Sequence, residues 1–167
     1  EAENQTDRDE YNRIISLNNN LLLNLFEDVL NLSMLDSDNM SFKNDEFDFS
    51  AMFDELAVLM REKVSNPEVE FICENPLQTL MVKTDRERLT QVIGNLITNA
   101  AKFTGQGYIK MGYGIERKGL RIYVEDTGIG IPDDLHDKVF TRFEKLNEFS
   151  QGTGLGLTIS RAVVEAA

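Results

Sequence analysis

The chain has 167 residues, a single cysteine and a formal net charge of −12. One cysteine excludes an internal disulfide, and the acidic balance argues against nucleic-acid binding, which needs a basic surface. A hydrophobic share of 41% predicts a folded chain with a buried core. No stretch predicts a transmembrane helix or a signal peptide, so we expect a soluble, cytoplasmic protein.

The negative charge is concentrated at the start of the chain. Residues 1–60 carry 14 acidic and 3 basic side chains, whereas residues 61–167 carry 15 and 14. We interpret the acidic segment as solvated surface. The nearly neutral remainder is where an anionic ligand could be accommodated.

An apolar heptad pattern begins near the N-terminus. The side chains that form it are Tyr11, Ile15, Leu22, Leu25, Val29 and Leu32. Further apolar residues widen the stripe, which is typical of a helix in a bundle. Such a helix needs a partner, either a second copy of the chain or a segment outside it. The run DSDNMS at 36–41 predicts the end of this helix, so we divide the chain into 1–40 and 41–167.

The second part is predicted to alternate between helices and strands. The predicted elements are a helix at 51–64 capped by Ser50, strands at 69–73 and 80–82, a helix at 85–104, a hairpin of strands at 108–115 and 120–125, a short helical piece at 139–143 and a final helix opened by 152–156. This order predicts an α+β fold, a two-layer sandwich of a mixed β-sheet and helices, preceded by one long bundle helix.

The helix predicted at 85–104 has an apolar stripe that would face a core and a polar stripe beside it. A capping box of Thr84 and Glu87 is expected to start it. The polar stripe offers two carboxamides one turn apart, Asn95 and Asn99, with the cation Lys102 one turn further on. Mg²⁺ prefers oxygen ligands and keeps several waters, so the Asn99 amide oxygen would suit it together with phosphate oxygens.

Two glycine-rich runs follow this helix. The first, DTGIGIP at 126–132, combines a carboxylate that could accept a hydrogen bond from an exocyclic amine with glycines that let a flat ring approach. A tight turn with an Asx cap explains it equally well. The second, GTGLG at 152–156, directly precedes a helix, where converging N–H groups hold phosphate. A flexible loop entering a helix would look the same.

The spacing of these groups resembles the N, G1, F and G2 boxes of sensor histidine kinases, whose ATP-binding superfamily also includes gyrase, chaperone and mismatch-repair ATPases. The matching residues, in the family's order, are Asn95, Asn99, Lys102 and Phe103, then Asp126, Gly128 and Gly130, then Phe140 and Phe143, then Gly152, Gly154 and Gly156. The resemblance extends from about Ser50 to the last residue. It implies binding of ATP with Mg²⁺ and transfer of the γ-phosphoryl group to a histidine, with a response-regulator receiver domain as partner.

The resemblance also implies individual roles. Asn99 would bind Mg²⁺ with Asn95 beside it, and Asp126 would accept the adenine amine. Lys102 and Phe103 would contact the phosphate and the ribose or base side. Apart from the resemblance, Lys102 and Arg142 or Lys145 could offset phosphate charge by virtue of their own charge, or each could be an ordinary surface charge. The remaining implied ATP contacts are Gly128, Gly130, Ile131, Phe143, Lys145, Gly152, Thr153, Gly154, Leu155 and Gly156, with a short lid at 144–151 anchored by Phe140 and Phe143.

One position distinguishes a kinase from a hydrolase. In the superfamily's ATPases a glutamate four residues before the metal-binding asparagine activates water, and here that position is Asn95. A neutral amide is no general base near neutral pH, which favours phosphoryl transfer. A slow ATPase and a non-catalytic nucleotide-binding or dimerisation module remain as alternatives.

Residues 1–40 resemble the second helix of the family's dimerisation and phosphoacceptor hairpin. We expect the first helix and its histidine to lie outside this chain, and the family's last two strands to be missing. His136, the single histidine, is expected to be a surface residue. The full-length protein is expected to be a homodimer with this part on the cytoplasmic side of a membrane-anchored sensor.

Overall fold

The computed structural model describes residues 8, 10–16, 18–19, 22–23, 26, 42–117, 119–136, 138–141 and 155–166. The described residues before 42 are all helical, as expected, whereas the helix end predicted at 36–41 lies outside the described residues. In the parts of the chain just named, no helix has both the length and the apolar character needed to span a bilayer.

The elements follow the predicted order, and the stretch at 41–49, for which the sequence allows a linker with or without a brief strand, contains a short strand. They are β1 (Asp45–Asp48), α1 (Phe49–Lys63), β2 (Val69–Glu74), β3 (Met81–Thr84), α2 (Arg86–Phe103), β4 (Gly107–Glu116), β5 (Gly119–Asp126) and α3 (Gly156–Ala166). Between β5 and α3 the chain forms short 3₁₀ turns at Asp133–Leu135 and Lys138–Phe140. The latter turn lies where the sequence predicts a short helical piece.

The strands form two sheets. In the larger one β2 pairs with β4 in parallel and β4 pairs with β5 in antiparallel, so the predicted mixed sheet is confirmed. The parallel pair needs a crossover connection, which β3 and α2 supply. β3 does not join this sheet, because it pairs in antiparallel with β1.

Two apolar cores hold the helices in place. In the large core α1 and α2 pack against the three-stranded sheet, with Phe53, Ile97 and Ile109 completely buried. A small core lies where α3 packs on α2, and its buried members are Val92, Leu155, Ile159 and Val163. α2 contributes to both cores, so its position is fixed from two sides.

Both predicted helix starts are wrong in detail. α1 is capped by Asp48, which accepts the Ser50 N–H at 3.0 Å, and Ser50 lies inside the first turn. α2 is capped by Asp85, which accepts the Arg88 N–H at 3.0 Å, whereas Thr84 belongs to β3. Aspartate caps as well as serine or threonine, so adjacent candidates are hard to distinguish by sequence.

The Asp85 carboxylate is buried, which by itself would favour its neutral form. Backbone hydrogen bonds from Arg88 and Lys43 outweigh that effect and hold the pKa of Asp85 below its usual value. A capping carboxylate that accepts two N–H groups therefore stays ionised at the start of α2.

Candidate functional site

The polar stripe of α2 lies beside a face that is locked into the large core. Ile93, Ile97 and Ala100 are buried on the apolar face. Residues three or four positions apart share a helix face, so Asn95 and Asn99 form a neighbouring row. Both carboxamides are half-buried. α2 therefore holds them at a partly sheltered surface, as the sequence predicts.

The Asn95 carboxamide is already engaged with α3. Its Nδ2 donates to the Gly156 carbonyl at 3.3 Å and lies 3.5 Å from the Ser160 hydroxyl. A Cβ atom on Gly156 would lie 3.6 Å from Asn95 Cγ, so the two residues are in close contact. The structure thus brings together one end of the predicted metal site and the last glycine of the second run.

Asn99 is one turn further along the same helix. Its side chain has no hydrogen-bond partner among the residues that the structure describes. Those same residues contain no cluster of three His, Cys, Asp or Glu side chains that could enclose a metal ion. A single amide oxygen fits Mg²⁺, which takes few protein ligands and completes its shell with waters and phosphate oxygens.

The first glycine run is attached to the end of α2. The Ile129 N–H donates to the Phe103 carbonyl at 3.3 Å. A Cβ atom on Gly128 would lie 2.6 Å from that same carbonyl oxygen, so this position has no room for a side chain. The loop that carries Asp126 is therefore held at the helix that carries Asn99.

The two oxygens of Asp126 have different surroundings. Oδ1 accepts the Gly128 N–H at 2.9 Å and lies 3.4 Å from the Thr104 hydroxyl. Oδ2 has no hydrogen bond to any described residue, and the residue is exposed. The sequence leaves two roles open for Asp126, an Asx turn and an acceptor for an exocyclic amine. The two roles are compatible, because each requires only one oxygen.

Two apolar side chains of the same loop are exposed. Ile129 is 79% exposed and Ile131 is 42% exposed. Gly130 between them has a φ of 68°, a left-handed conformation that is unfavourable for residues with a side chain. The loop thus presents apolar surface and open backbone that could contact a flat ring.

Lys102 and Phe103 end α2 as a stacked pair. The Lys102 ammonium lies 4.8 Å from the centre of the Phe103 ring, with Lys102 exposed and Phe103 half-buried. A cation over an aromatic face at an exposed site contributes about 0.5–1 kcal/mol. The pair therefore provides a positive charge beside the attachment point of the first glycine run.

The predicted lid anchor Phe140 is held by α3. Its carbonyl accepts the Thr158 hydroxyl at 2.9 Å, and the Arg161 guanidinium lies 5.7 Å from the centre of its ring. The other predicted residues of this region lie outside the described part of the chain. They are Arg142, Phe143, Lys145, Gly152, Thr153 and Gly154, together with the lid at 144–151.

Leu155 lies in the second glycine run, but its side chain belongs to the protein interior. Its side chain is completely buried in the small core against α2. Any contact between Leu155 and a phosphate would therefore involve its backbone. The side chain instead fixes the start of α3.

Three residues near the site were missed in the sequence. Thr104 reaches Asp126, Ser160 reaches Asn95, and Thr158 fixes the Phe140 turn. Thr104 directly follows the Lys102–Phe103 pair, and Thr158 and Ser160 lie in the first turns after the glycine run. Their proximity to the motifs is the signal that could have found them. His136 is exposed, as expected, and its Nε2 lies 2.9 Å from the Ile131 carbonyl.

Comparison with known proteins identifies the family. The family described as histidine kinase-, DNA gyrase B-, and HSP90-like ATPase matches residues 84–167. The sensor protein kinase WalK of Staphylococcus saprophyticus is 33% identical over 153 residues, which cover 87% of this chain and 25% of WalK. The chain therefore spans about a quarter of the length of the curated relatives that it matches.

Solved structures of histidine kinases share the fold. Full-length ShkA in complex with AMPPNP superposes with a TM-score of 0.80 at 27% identity, covering 96% of this chain and 34% of ShkA. The nucleotide-free catalytic domain of histidine kinase ThkA gives 0.66 at 36% identity, covering 76% and 82%. ThkA in complex with the response regulator TrrA gives 0.71 at 28% identity, covering 94% and 44%. The chain therefore belongs to the histidine kinase-, DNA gyrase B- and HSP90-like ATPases, and its predicted resemblance to histidine kinase catalytic domains is confirmed.

Proposed function

We propose that this chain binds ATP with Mg²⁺ and presents the γ-phosphoryl group to a histidine on a helical hairpin, in two-component signal transduction. The observation that carries the proposal is the attachment of the Asp126–Gly128 loop to the end of α2. It fixes the loop of the proposed adenine acceptor to the helix that carries the proposed metal ligand.

The similar proteins support this assignment of substrate and partner. The WalK relatives are named sensor protein kinases, ShkA was solved with AMPPNP, and ThkA was solved with a response regulator. We propose the same classes of ligand for this chain, ATP and a receiver domain. Because ATP is the proposed substrate, we expect the domain to work in the cytoplasm. We further propose that it is part of a membrane-anchored sensor.

At the base end of the ligand, Asp126 would accept the adenine amine through Oδ2 while Oδ1 stays bonded to the Gly128 N–H. A hydrogen bond between the loop backbone and its own carboxylate pre-orients the free oxygen, so little ordering is required when the ligand binds. The exposed side chains Ile129 and Ile131 lie in the same loop and would be partly covered by the ring.

At the phosphate end, Asn99 would hold Mg²⁺ through its amide oxygen and Lys102 would approach the phosphates. When bound, Mg²⁺ neutralises charge on the β- and γ-phosphates. The residues of this chain then bind and orient, because phosphoryl transfer depends mainly on positioning and on charge stabilisation.

Phosphoryl transfer is favoured over hydrolysis by Asn95. Its carboxamide hydrogen-bonds with Gly156 and Ser160, and an amide has no basic group to activate water. A slow ATPase would need a carboxylate near Asn99. Phosphate release well above background would support that alternative.

The helical residues before 42 support an association with other helices. Their large apolar side chains are between 46% and 65% exposed, and they are Tyr11, Ile14, Ile15, Leu22, Leu23 and Phe26. Several large apolar side chains exposed on one helical segment are typical of an interaction site. We propose that it pairs with the first hairpin helix and dimerises in the full-length protein.

The binding site is tested by calorimetric titration of the chain with ATP and Mg²⁺. Asp126→Asn and Asn99→Ala should each weaken binding by about tenfold or more, because a hydrogen bond to a charged group contributes about 1.5–3 kcal/mol. The Asn99→Ala effect should disappear when Mg²⁺ is chelated, whereas the Asp126→Asn effect should remain. Asp54→Asn, on the exposed surface of α1, is the matched control. Unchanged affinity in both site variants would contradict the assignment.

Transfer is tested with γ-labelled ATP and a separately prepared hairpin domain that carries the phosphoacceptor histidine. The expected product is acid-labile, base-stable phosphate on that histidine. Nucleotide binding without any transfer, with the hairpin present in excess, would favour a nucleotide-sensing module instead.

A further inference from the structure

The linker that precedes β1 is fixed to the catalytic domain by two neighbouring residues. Phe42 is half-buried and packs against the small core. Lys43 donates its backbone N–H to the Asp85 carboxylate at 3.1 Å, and its ammonium pairs with Glu87 at 3.0 Å. An apolar contact, a backbone hydrogen bond and an ion pair therefore act together where the chain enters the domain.

The small core connects this linker to the second glycine run. Leu155 is completely buried in it, and the next residue, Gly156, accepts the hydrogen bond from Asn95. Val92, also in this core, is on α2 one turn before Asn95. The small core thus contacts Phe42 of the linker and also contains Leu155 and Val92, which lie close in the chain to Gly156 and Asn95.

We propose that Phe42 is a positioning residue that couples nucleotide binding to the docking of the linker. The inference rests on the proposed function. A nucleotide held at the backbone of Leu155 and Gly156 would fix the Leu155 side chain, and a close-packed core responds to a shift of one member by moving the others. The docked position of Phe42 is then favoured by nucleotide.

The coupling has to act in both directions. If bound nucleotide favours the docked linker, the docked linker raises nucleotide affinity by the same factor. Because residues 42 and 43 lie between the N-terminal helical residues and β1 in the chain, a change in those helical residues could reach Leu155 and Gly156 by this route. Lys43 has a smaller role, since an exposed ion pair such as Lys43–Glu87 contributes little.

The test uses the full chain and two measurements. In calorimetric titrations with ATP and Mg²⁺, Phe42→Ala should weaken binding by about fivefold, the lower end of typical couplings between sites. Phe42→Leu should restore most of the affinity, because leucine keeps the apolar contact. Lys43→Ala, which removes the ion pair and keeps the backbone N–H, should stay within about twofold of the wild type.

Hydrogen exchange of the Lys43 amide provides the second measurement. Nucleotide should slow its exchange in the wild-type chain and have little effect in Phe42→Ala. A residue with a purely structural role would change the exchange rate equally with and without nucleotide. Because the wild-type measurement needs no variant, the test holds even if Phe42→Ala does not fold.

The outcomes separate this inference from the proposed function. Absence of nucleotide binding by the wild type would overturn the proposed function, and the inference with it. Nucleotide binding that leaves Lys43 exchange unchanged would overturn the inference alone, as would a Phe42→Ala variant that folds and binds nucleotide like the wild type.

Discussion

Gly128 gives the most direct test of how the first glycine run is held. A Cβ atom at this position would lie 2.6 Å from the Phe103 carbonyl oxygen and 2.8 Å from Asp126 Oδ1. The Asp126 side chain can rotate away, but the Phe103 carbonyl belongs to the last turn of α2. In Gly128→Ala the loop must therefore move, or the domain must retain the strain.

The two responses change different measured quantities, nucleotide affinity in one case and the free energy of unfolding in the other. The expected size of the change in free energy is the same. Overpacking by one methyl group costs about 1–3 kcal/mol. If the loop moves, the Ile129–Phe103 hydrogen bond is lost and nucleotide affinity falls by about 5- to 150-fold. If the loop stays, affinity is kept and the free energy of unfolding falls by the same 1–3 kcal/mol.

A matched control comes from Gly94, on α2 itself. A Cβ atom there would have no neighbour within 4 Å. Gly94→Ala should leave nucleotide affinity unchanged and raise the free energy of unfolding by about 0.5–1 kcal/mol, because alanine favours a helix interior. Urea unfolding and calorimetric titration measure both quantities. A Gly128→Ala variant that matches the wild type in both would refute the reasoning.

Three further predictions concern other parts of the domain. Because the pKa of Asp85 is lower in the folded chain than in the unfolded one, its stabilisation is complete above the unfolded pKa and is lost as the pH falls through the folded value. Asp85→Asn should therefore lower the free energy of unfolding near pH 7 by about 1 kcal/mol. The decrease in that free energy between pH 7 and about pH 3 should be smaller in the variant than in the wild type, as measured by urea unfolding at each pH. Thr158→Val removes the hydrogen bond to Phe140, so hydrogen exchange at 138–141 should accelerate, and an unchanged rate would refute that anchor. Burial raises the pKa of the Cys73 thiol, so alkylation near pH 8 should be much slower in the folded chain than in urea, and equal rates would contradict this.

The parts of the fold that follow from periodicity were predictable. α2 runs from Arg86 to Phe103, within one residue of the prediction at each end, because its apolar stripe repeats over five turns. The hairpin of β4 and β5 is confirmed for the same reason. These patterns are local, so the sequence contains all the information that they need.

Long-range pairing was not predictable in the same way. β1 is a four-residue strand whose partner β3 lies more than thirty residues further along the chain. Its sequence DEFD has only one strongly apolar residue, Phe47, and gives no alternation to read. The separate β1–β3 pair therefore appears only when the chain folds.

The site shows the same division between local and long-range information. Asn99 and Asp126 could be selected from motif spacing, because each motif is contiguous. The contact between Asn95 and Gly156 joins residues 61 positions apart, and the buried side chain of Leu155 depends on how α3 packs. Spacing identifies which residues form a box, whereas tertiary packing determines whether a side chain or a backbone group faces the ligand.

Asn95 shows why this distinction matters for the reaction. In the sequence, Asn95 stands where the superfamily's ATPases have a glutamate. This shows only that the chain lacks a general base at that position. In the structure its carboxamide donates to the first residue of α3, so the same residue also supplies a contact between α2 and the second glycine run. A glutamate there would have no N–H to donate and would face the Gly156 carbonyl with a negative charge, an unfavourable contact. An amide at position 95 therefore suits the packing of α3 as well as the proposed phosphoryl transfer.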